Sequence, residues 1–258
     1  MRAETLPANA GWRWMSDGFA IFRKNPALFS MLVVLYWTIL IFVNIVPGVG
    51  AVISSLLIPG LSVGLMQVAR DLERGHPVAL PTLFNGFQRN PRTLLVLGAL
   101  YLCATLAVLA LSTLIDGGDF LKALISSDEL DREALESGAY LLPAAFVTIA
   151  LLPVLMAWWF APVLAAWHNL GVGRALFFSF VACWLNWRAF FSFSLALLLF
   201  AGILPGMVFG LLLAVIPSSA AAFVATPLLL LIAVTVFSTV YASFYASYRD
   251  IFGNAELV

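Results

Sequence analysis

An all-α, polytopic membrane fold with six transmembrane helices is predicted by three observations. The 258-residue chain is 63% hydrophobic and 10% charged, against about 45–50% apolar and about 25% charged in ordinary soluble domains. All 13 Lys+Arg and all 13 Asp+Glu fall outside six apolar runs, Pro26–Val46, Val49–Ala69, Thr93–Ile115, Tyr140–Trp167, Ala189–Ile216 and Ala220–Tyr248. Each run reaches the ~20 residues that a helix needs to cross the hydrocarbon core, where a charge costs several kcal/mol. The runs are continuously apolar rather than alternating, which excludes a strand-built barrel.

The elements follow in order. Residues 1–25 hold no continuous apolar core and no small-residue cleavage site, so no removable signal peptide is expected and the first span serves as the insertion signal. Within Asp17–Phe29, DGFAIFRKNPALF, and the residues just before it, Trp12, Met15, Phe19 and Phe22 share one helical face and Arg13, Asp17 and Lys24 another. That pattern predicts an interfacial amphipathic helix. Asn25-Pro26 ends it, because the residue before proline leaves the helical region and proline opens the next helix. Asn90-Pro91 does the same before the third span. The loop from Asp116 to Gly138 is acidic, and its DELDREALE stretch predicts a short solvated helix. Prolines fall inside the spans at Pro59, Pro153, Pro162 and Pro205, each removing a backbone donor. Pro59-Gly60 and Pro205-Gly206 are candidate midplane helix breaks, the kind of site where transporters bind substrate.

Charge sets the orientation. Eleven basic and six acidic residues occupy the two ends and the second and fourth loops, whereas the loop 116–138 holds seven acids against two bases. Basic residues stay on the cytoplasmic side, so both termini are expected in the cytoplasm and the acidic loop outside.

The segments before the odd-numbered spans resemble one another: Asp17–Phe29, then NGFQRNPRTLL (Asn85–Leu95), then FSFVACWLNWRAFF (Phe178–Phe191), which keeps the Asn and Arg but lacks the proline. The even-numbered spans end alike in ARDLERG (Ala69–Gly75), WHNLGVG (Trp167–Gly173) and YRDIFG (Tyr248–Gly253). A single membrane domain is predicted, made of three helical hairpins, each preceded by an interfacial amphipathic helix, in units of about 10–75, 80–173 and 174–253. The exits place Arg70/Asp71, His168/Asn169 and Arg249/Asp250 at one depth. They form a candidate polar ring, either structural or binding a headgroup or partner, since a cation at a helix C-terminus complements the macrodipole. Small residues four apart, Gly60/Gly64 and Gly202/Gly206/Gly210, predict close helix packing inside the chain.

Other chemistry is excluded by what the residues do not form. There is no Ser/His/Asp set, phosphate loop or HExxH motif, so no enzyme activity and no cofactor are expected. His76 with Asp71 and Glu73 matches no standard metal spacing, and Cys103 and Cys183 make no redox or metal pattern. The basic residues lie scattered along a membrane face, so nucleic acid is not a partner. With no Asp, Glu, Lys, Arg or His at mid-span, proton-driven transport is disfavoured.

The opening GWRWMSDGFAIFRKNP (Gly11–Pro26), PGLSVGLMQVARDLERG (Pro59–Gly75) and YASFYASYRDIFG (Tyr241–Gly253) resemble a family of uncharacterised six-helix proteobacterial inner-membrane proteins. The chain is also distantly similar to the membrane domain that precedes some glycerophosphodiester phosphodiesterases, whose soluble catalytic domain it lacks. The resemblance implies location in the bacterial inner membrane and supplies no catalytic residues. The expected function is a non-enzymatic scaffold or accessory subunit whose partners are membrane lipids and a protein or a second copy of itself. The alternative is a permease or channel for a neutral or amphiphilic small molecule.

Overall fold

The computed structural model describes residues 3–125, 138–215 and 218–253. The fold is 85% helix with no strand among the described residues, so the backbone's polar groups are satisfied within helices, as hydrocarbon requires. Six helical segments are long and apolar enough to cross a membrane: Pro26–Val43, Val49–Glu73, Pro91–Asp116, Leu141–Trp167, Trp187–Leu212 and Thr226–Phe252. DELDREALE lies outside the described residues.

Helix α1 (Ala10–Phe22) is followed by a turn in which the Asn25 side chain accepts from the Leu28 N–H at 3.2 Å, with Pro26 opening α2 (Pro26–Val43). This satisfies a donor that the helix start would leave unpaired. The α1 face that docks is Ala10, Gly11, Trp14, Met15, Gly18, Ile21 and Phe22, whereas Trp12 and Phe19 remain exposed. The apolar stripe expected from the sequence is rotated from the real one because glycine governs the approach. A Cβ on Gly11 would lie 2.2 Å from the Ala189 carbonyl, and one on Gly18 would lie 2.6 Å from that of Thr239.

Helix α3 (Val49–Glu73) returns beside α2. Asn44, at the turn, donates to Leu40 O at 2.8 Å and Ser54 Oγ at 2.6 Å. Pro59 does not break α3, contrary to the reading of Pro59-Gly60 as a break; the helix runs through it, and both residues are buried. The Ser55 carbonyl that proline frees is covered by α4 (Pro91–Asp116), where a Cβ on Gly98 would meet it at 2.2 Å. The freed carbonyl is thus packed against a helix backbone, close enough only for a weak Cα–H contact. Gly60 and Gly64 do approach a neighbour closely, but it is no helix spanning the membrane. It is a 3₁₀ segment, Leu80–Gln88, in the position where the second amphipathic helix is expected. Its Phe87 ring covers Gly60 and its Leu83 carbonyl covers Gly64.

Beyond α4, the short α5 (Asp119–Ile125) begins the acidic loop. The fourth span is two helices, α6 (Leu141–Trp158) and α7 (Ala161–Trp167). Pro162 cannot tolerate the helical carbonyl of Trp158 four residues earlier, so the chain opens at Trp159–Phe160. Ser179 of α8 (Val172–Leu185) repairs the opening. Its hydroxyl accepts from Phe160 N at 2.9 Å and donates to Met156 O at 2.8 Å.

Asn186 ends α8 and starts α9 (Trp187–Leu197), which continues through a π-helical segment, Leu198–Ile203, into α10 (Leu204–Val215). Pro205 is the second residue of α10, and Gly206 faces open space, where an added Cβ would find nothing within 4 Å. Pro205-Gly206 therefore adjoins a π segment on the outer surface. It shares no site with Pro59-Gly60, whose surroundings are filled by Phe87 and Gly86. Among the described residues, Gly202 and Gly210 likewise meet no neighbouring helix, and none makes the packing expected of the Gly202/Gly206/Gly210 row. Helix α11 (Ser218–Phe252) completes the fold.

Burial is concentrated at the end that carries both termini. Trp14, Phe29, Leu65, Phe160, Phe193, Tyr248 and Phe252 are nearly inaccessible there. At the opposite end Phe42, Leu114, Leu141, Leu211 and Leu230 stand exposed, as suits a surface solvated by lipid tails rather than water.

Candidate binding face at the termini

Each even-numbered span delivers its polar exit to the termini-bearing end, and the side chains there reach across to the next exit. The Arg70 guanidinium lies over the Trp167 indole, 4.8 Å from its centroid. His168 Nε2 shares a 2.6 Å hydrogen bond with the Tyr248 hydroxyl. Arg249 pairs with Glu73 and, at 2.6 Å, with Asp17 of α1. These contacts join α3 to α7, α7 to α11, and α11 back to α3. A cation over an aromatic face contributes about 0.5–2 kcal/mol; the circuit combines a cation–π contact, a hydrogen bond and an ion pair.

The Arg249 node is the densest. Three carboxylates surround one guanidinium: Asp17, Glu73 and Asp250, the last at 2.8 Å. Asp250 Oδ2 also accepts from the buried Trp14 indole N–H at 3.1 Å, and Glu73 Oε2 from the Tyr245 hydroxyl at 2.8 Å. Lys24 Nζ donates to the Glu73 carbonyl at 2.7 Å. The guanidinium offers five donors in a fixed fork, which is why one arginine can hold acids from α1, α3 and α11 together.

The six candidate ring residues are thus placed unequally. Arg70, His168, Arg249 and Asp250 join neighbouring elements. Asp71 turns to its own chain, accepting from Gln67 at 2.8 Å with His76 Nδ1 at 3.8 Å. Asn169 is exposed in a left-handed turn, φ +51°. Asp17, Glu73, Trp14 and Tyr245 belong to the node and Tyr248 to the His168 link; Glu73 and Tyr248 lie within the exit segments, but Asp17, Trp14 and Tyr245 lie outside them. Among the described residues, no group of three or more His, Cys, Asp or Glu is placed to hold a metal ion; around Arg249, the guanidinium takes the place a cation would occupy.

The three junction asparagines do different work. Asn25 caps locally. Asn90, itself left-handed at φ +52°, donates to the carbonyls of Ala165 at 3.2 Å and Leu170 at 3.4 Å, tying the start of α4 to α7. Asn186, 1% exposed, holds the N-terminal strap: it accepts from Leu6 N at 2.8 Å and donates to Glu4 O at 2.9 Å. Asn186→Ala is expected to cost about 2 kcal/mol, the range for unmaking a buried polar network. It should also open the first ten residues to protease. Limited proteolysis beside a melting curve checks this, and a digestion pattern like the native one would contradict the strap's dependence on Asn186.

The fold defines a multi-pass helical membrane protein. The chain is similar to a protein of Burkholderia thailandensis described as a probable inner membrane protein, 37% identical over 262 residues, which span 99% of this chain and 96% of that one. It belongs to that family. No family model matches it, and no solved structure matches it.

Proposed function

We propose that the protein is a non-enzymatic scaffold or accessory subunit of the inner membrane that binds protein or lipid through its termini-bearing face, with both termini in the cytoplasm. The supporting observation is the closed circuit Arg70–Trp167, His168–Tyr248, Arg249–Glu73, which engages the exits' polar groups in holding three even-numbered spans as one plate. A plate of fixed geometry at a membrane surface suits recognition, because preorganisation lowers the cost of binding. The units 10–75, 80–173 and 174–253, read as three repeats, fit this circuit, since each supplies one exit to it. The orientation follows from the basic residues on this face and the acids of the loop 116–138. The distant similarity to phosphodiesterase membrane domains adds no catalytic group.

One observation favours the permease reading, the opening of the fourth span at Trp159–Phe160. Against it, Ser179 closes the backbone there, and Pro59 is buried in α3 while Pro205-Gly206 lies on the outer surface. Native mass spectrometry of protein extracted gently from its own membranes decides between the two. A protein or lipid retained at fixed stoichiometry is the expected result. Solute flux in proteoliposomes, with nothing retained, would replace the scaffold with a permease. For orientation, alkaline phosphatase fused after residue 125 should be active and the same enzyme fused after residue 253 inactive; the reverse pattern would invert the topology.

A further inference from the structure

Beneath α1 lies a groove of about 730 Å³, lined by Trp12, Met15 and Phe19 of α1, Arg23 just past its C-terminal end, Phe200 of the π segment, and Thr235, Val236 and Thr239 of α11. Helix α1 docks on α9 through Gly11 and on α11 through Gly18. It therefore bridges the fifth and sixth spans and roofs the gap between them. The π segment contributes the far wall: it carries Phe200 edge-on to Trp12, with centroids 6.1 Å apart. Single π turns inside α-helices recur at functional sites because they re-aim one side chain without ending the helix.

The lining is mostly apolar, with the hydroxyl residues Ser16, Thr235 and Thr239 among it and a charge at one edge. Thr239 Oγ1 donates to the Thr235 carbonyl at 2.8 Å, so that donor is already used within α11. Among the described residues, Arg23 is the only charged one in the lining. Its guanidinium folds back to 5.2 Å from the Phe19 centroid, and among the described ion pairs it has no carboxylate. The neighbouring Lys24, by contrast, is held by the Glu73 carbonyl. A hydrocarbon slot ending at an exposed arginine, at the depth where α1 meets the membrane surface, matches the shape and charge of one molecule class.

We infer that this groove is a binding site for a phospholipid with an anionic headgroup, one acyl chain lying between Phe200 and α11 under the α1 roof and the headgroup phosphate meeting Arg23. The guanidinium can grip the phosphate of either lipid class at two points; the preference comes from net charge, because the choline ammonium of a zwitterion cancels the phosphate charge that an anionic headgroup keeps. The inference deepens the lipid arm of the proposed function by naming the site and the lipid class.

The test reconstitutes the full chain in vesicles of equimolar phosphatidylglycerol and phosphatidylcholine, extracts it gently, and identifies the retained lipid by native mass spectrometry. The native protein is expected to retain a single phosphatidylglycerol in preference to phosphatidylcholine. Arg23→Gln should lower that preference about fivefold, the effect of one basic residue at an anionic surface. Ala20→Trp, on the exposed part of the lining, should fill the groove and abolish retention of both lipids. Neither position belongs to the docking face of α1, so both variants should melt with the native protein. Equal retention of the two lipids by the native protein overturns the inference, as does retention unaltered in both variants. Loss of binding in Ala20→Trp with an unchanged preference in Arg23→Gln overturns the headgroup assignment. A protein partner that co-purifies with native and variant chains alike would leave the scaffold reading standing, so the two can fail separately.

Discussion

Gly64→Leu is expected to destabilise the protein by about 3 kcal/mol or more, at the top of the range for overpacking, whereas Gly206→Leu should leave the melting temperature of the isolated chain unchanged. Both glycines sit in the same small-xxx-small pattern, so sequence alone predicts the same loss. The surroundings separate them. A Cβ on Gly64 would stand 1.8 Å from the Leu83 carbonyl oxygen and 2.5 Å from its carbon, while Gly206 has nothing within 4 Å. The obstacle at Gly64 is backbone and cannot rotate aside, so leucine there must expel the 3₁₀ segment Leu80–Gln88 from α3. Gly60→Ala is intermediate, because what it meets is the Phe87 ring, at 2.4 Å, a side chain with rotamers to yield. Thermal melting of the three variants in one detergent orders them Gly64→Leu, Gly60→Ala, Gly206→Leu from least to most stable. Coincident curves for the first and last would refute the packing of the 3₁₀ segment.

The same contrast marks what can be read along the chain and what cannot. Spans are local facts: twenty uncharged residues are costly anywhere but in hydrocarbon, so six runs became six membrane-crossing segments. Asn25-Pro26 and Asn90-Pro91 are local as well, since proline constrains only its immediate neighbours. The partner of a glycine is not local. Gly60 and Gly64 announce a close approach without saying to what, and Gly11 and Gly18 escape a hydrophobicity count because glycine scores near zero. For that reason Trp12 and Phe19 stand out in the sequence for the face that Trp14 occupies.

The breaks show a second kind of loss. Pro59 and Pro162 look alike in sequence, yet Gly98 covers the carbonyl freed by the first and the helix runs on, while the second opens the chain at Trp159–Phe160 and Ser179 fills the gap. Which proline breaks a helix depends on a neighbour supplied from elsewhere. The ring exits are legible as residues but not as bonds. Arg249 finds Glu73 176 residues away and Asp17 232 residues away, separations that no spacing rule reaches.

Those two long bonds make Arg249 the position where a single charge change should matter most. Arg249→Gln leaves Asp17, Glu73 and Asp250 facing one another without the guanidinium that bridges them. Removing one partner of a fully buried ion pair costs about 3–5 kcal/mol. This node is only half-buried, with 33% of the arginine side chain and 38% of Asp17 exposed, and solvent screens it. The expected loss is therefore about 2 kcal/mol, between the buried and the surface cases. If repulsion among the acids is its source, neutralising them should return stability. The triple variant Arg249→Gln, Asp17→Asn, Glu73→Gln is expected to melt above the single Arg249→Gln, although it has lost three charges instead of one. Coupling of this size is what residues sharing one network show. The alternative is that Arg249 acts through its packing against α1 and α3; its stem is lost equally in both variants, so the triple would then melt no higher than the single. Rescue would mean that the first and last units are clasped by charge, and that the plate at the termini depends on one arginine in the last turn of α11.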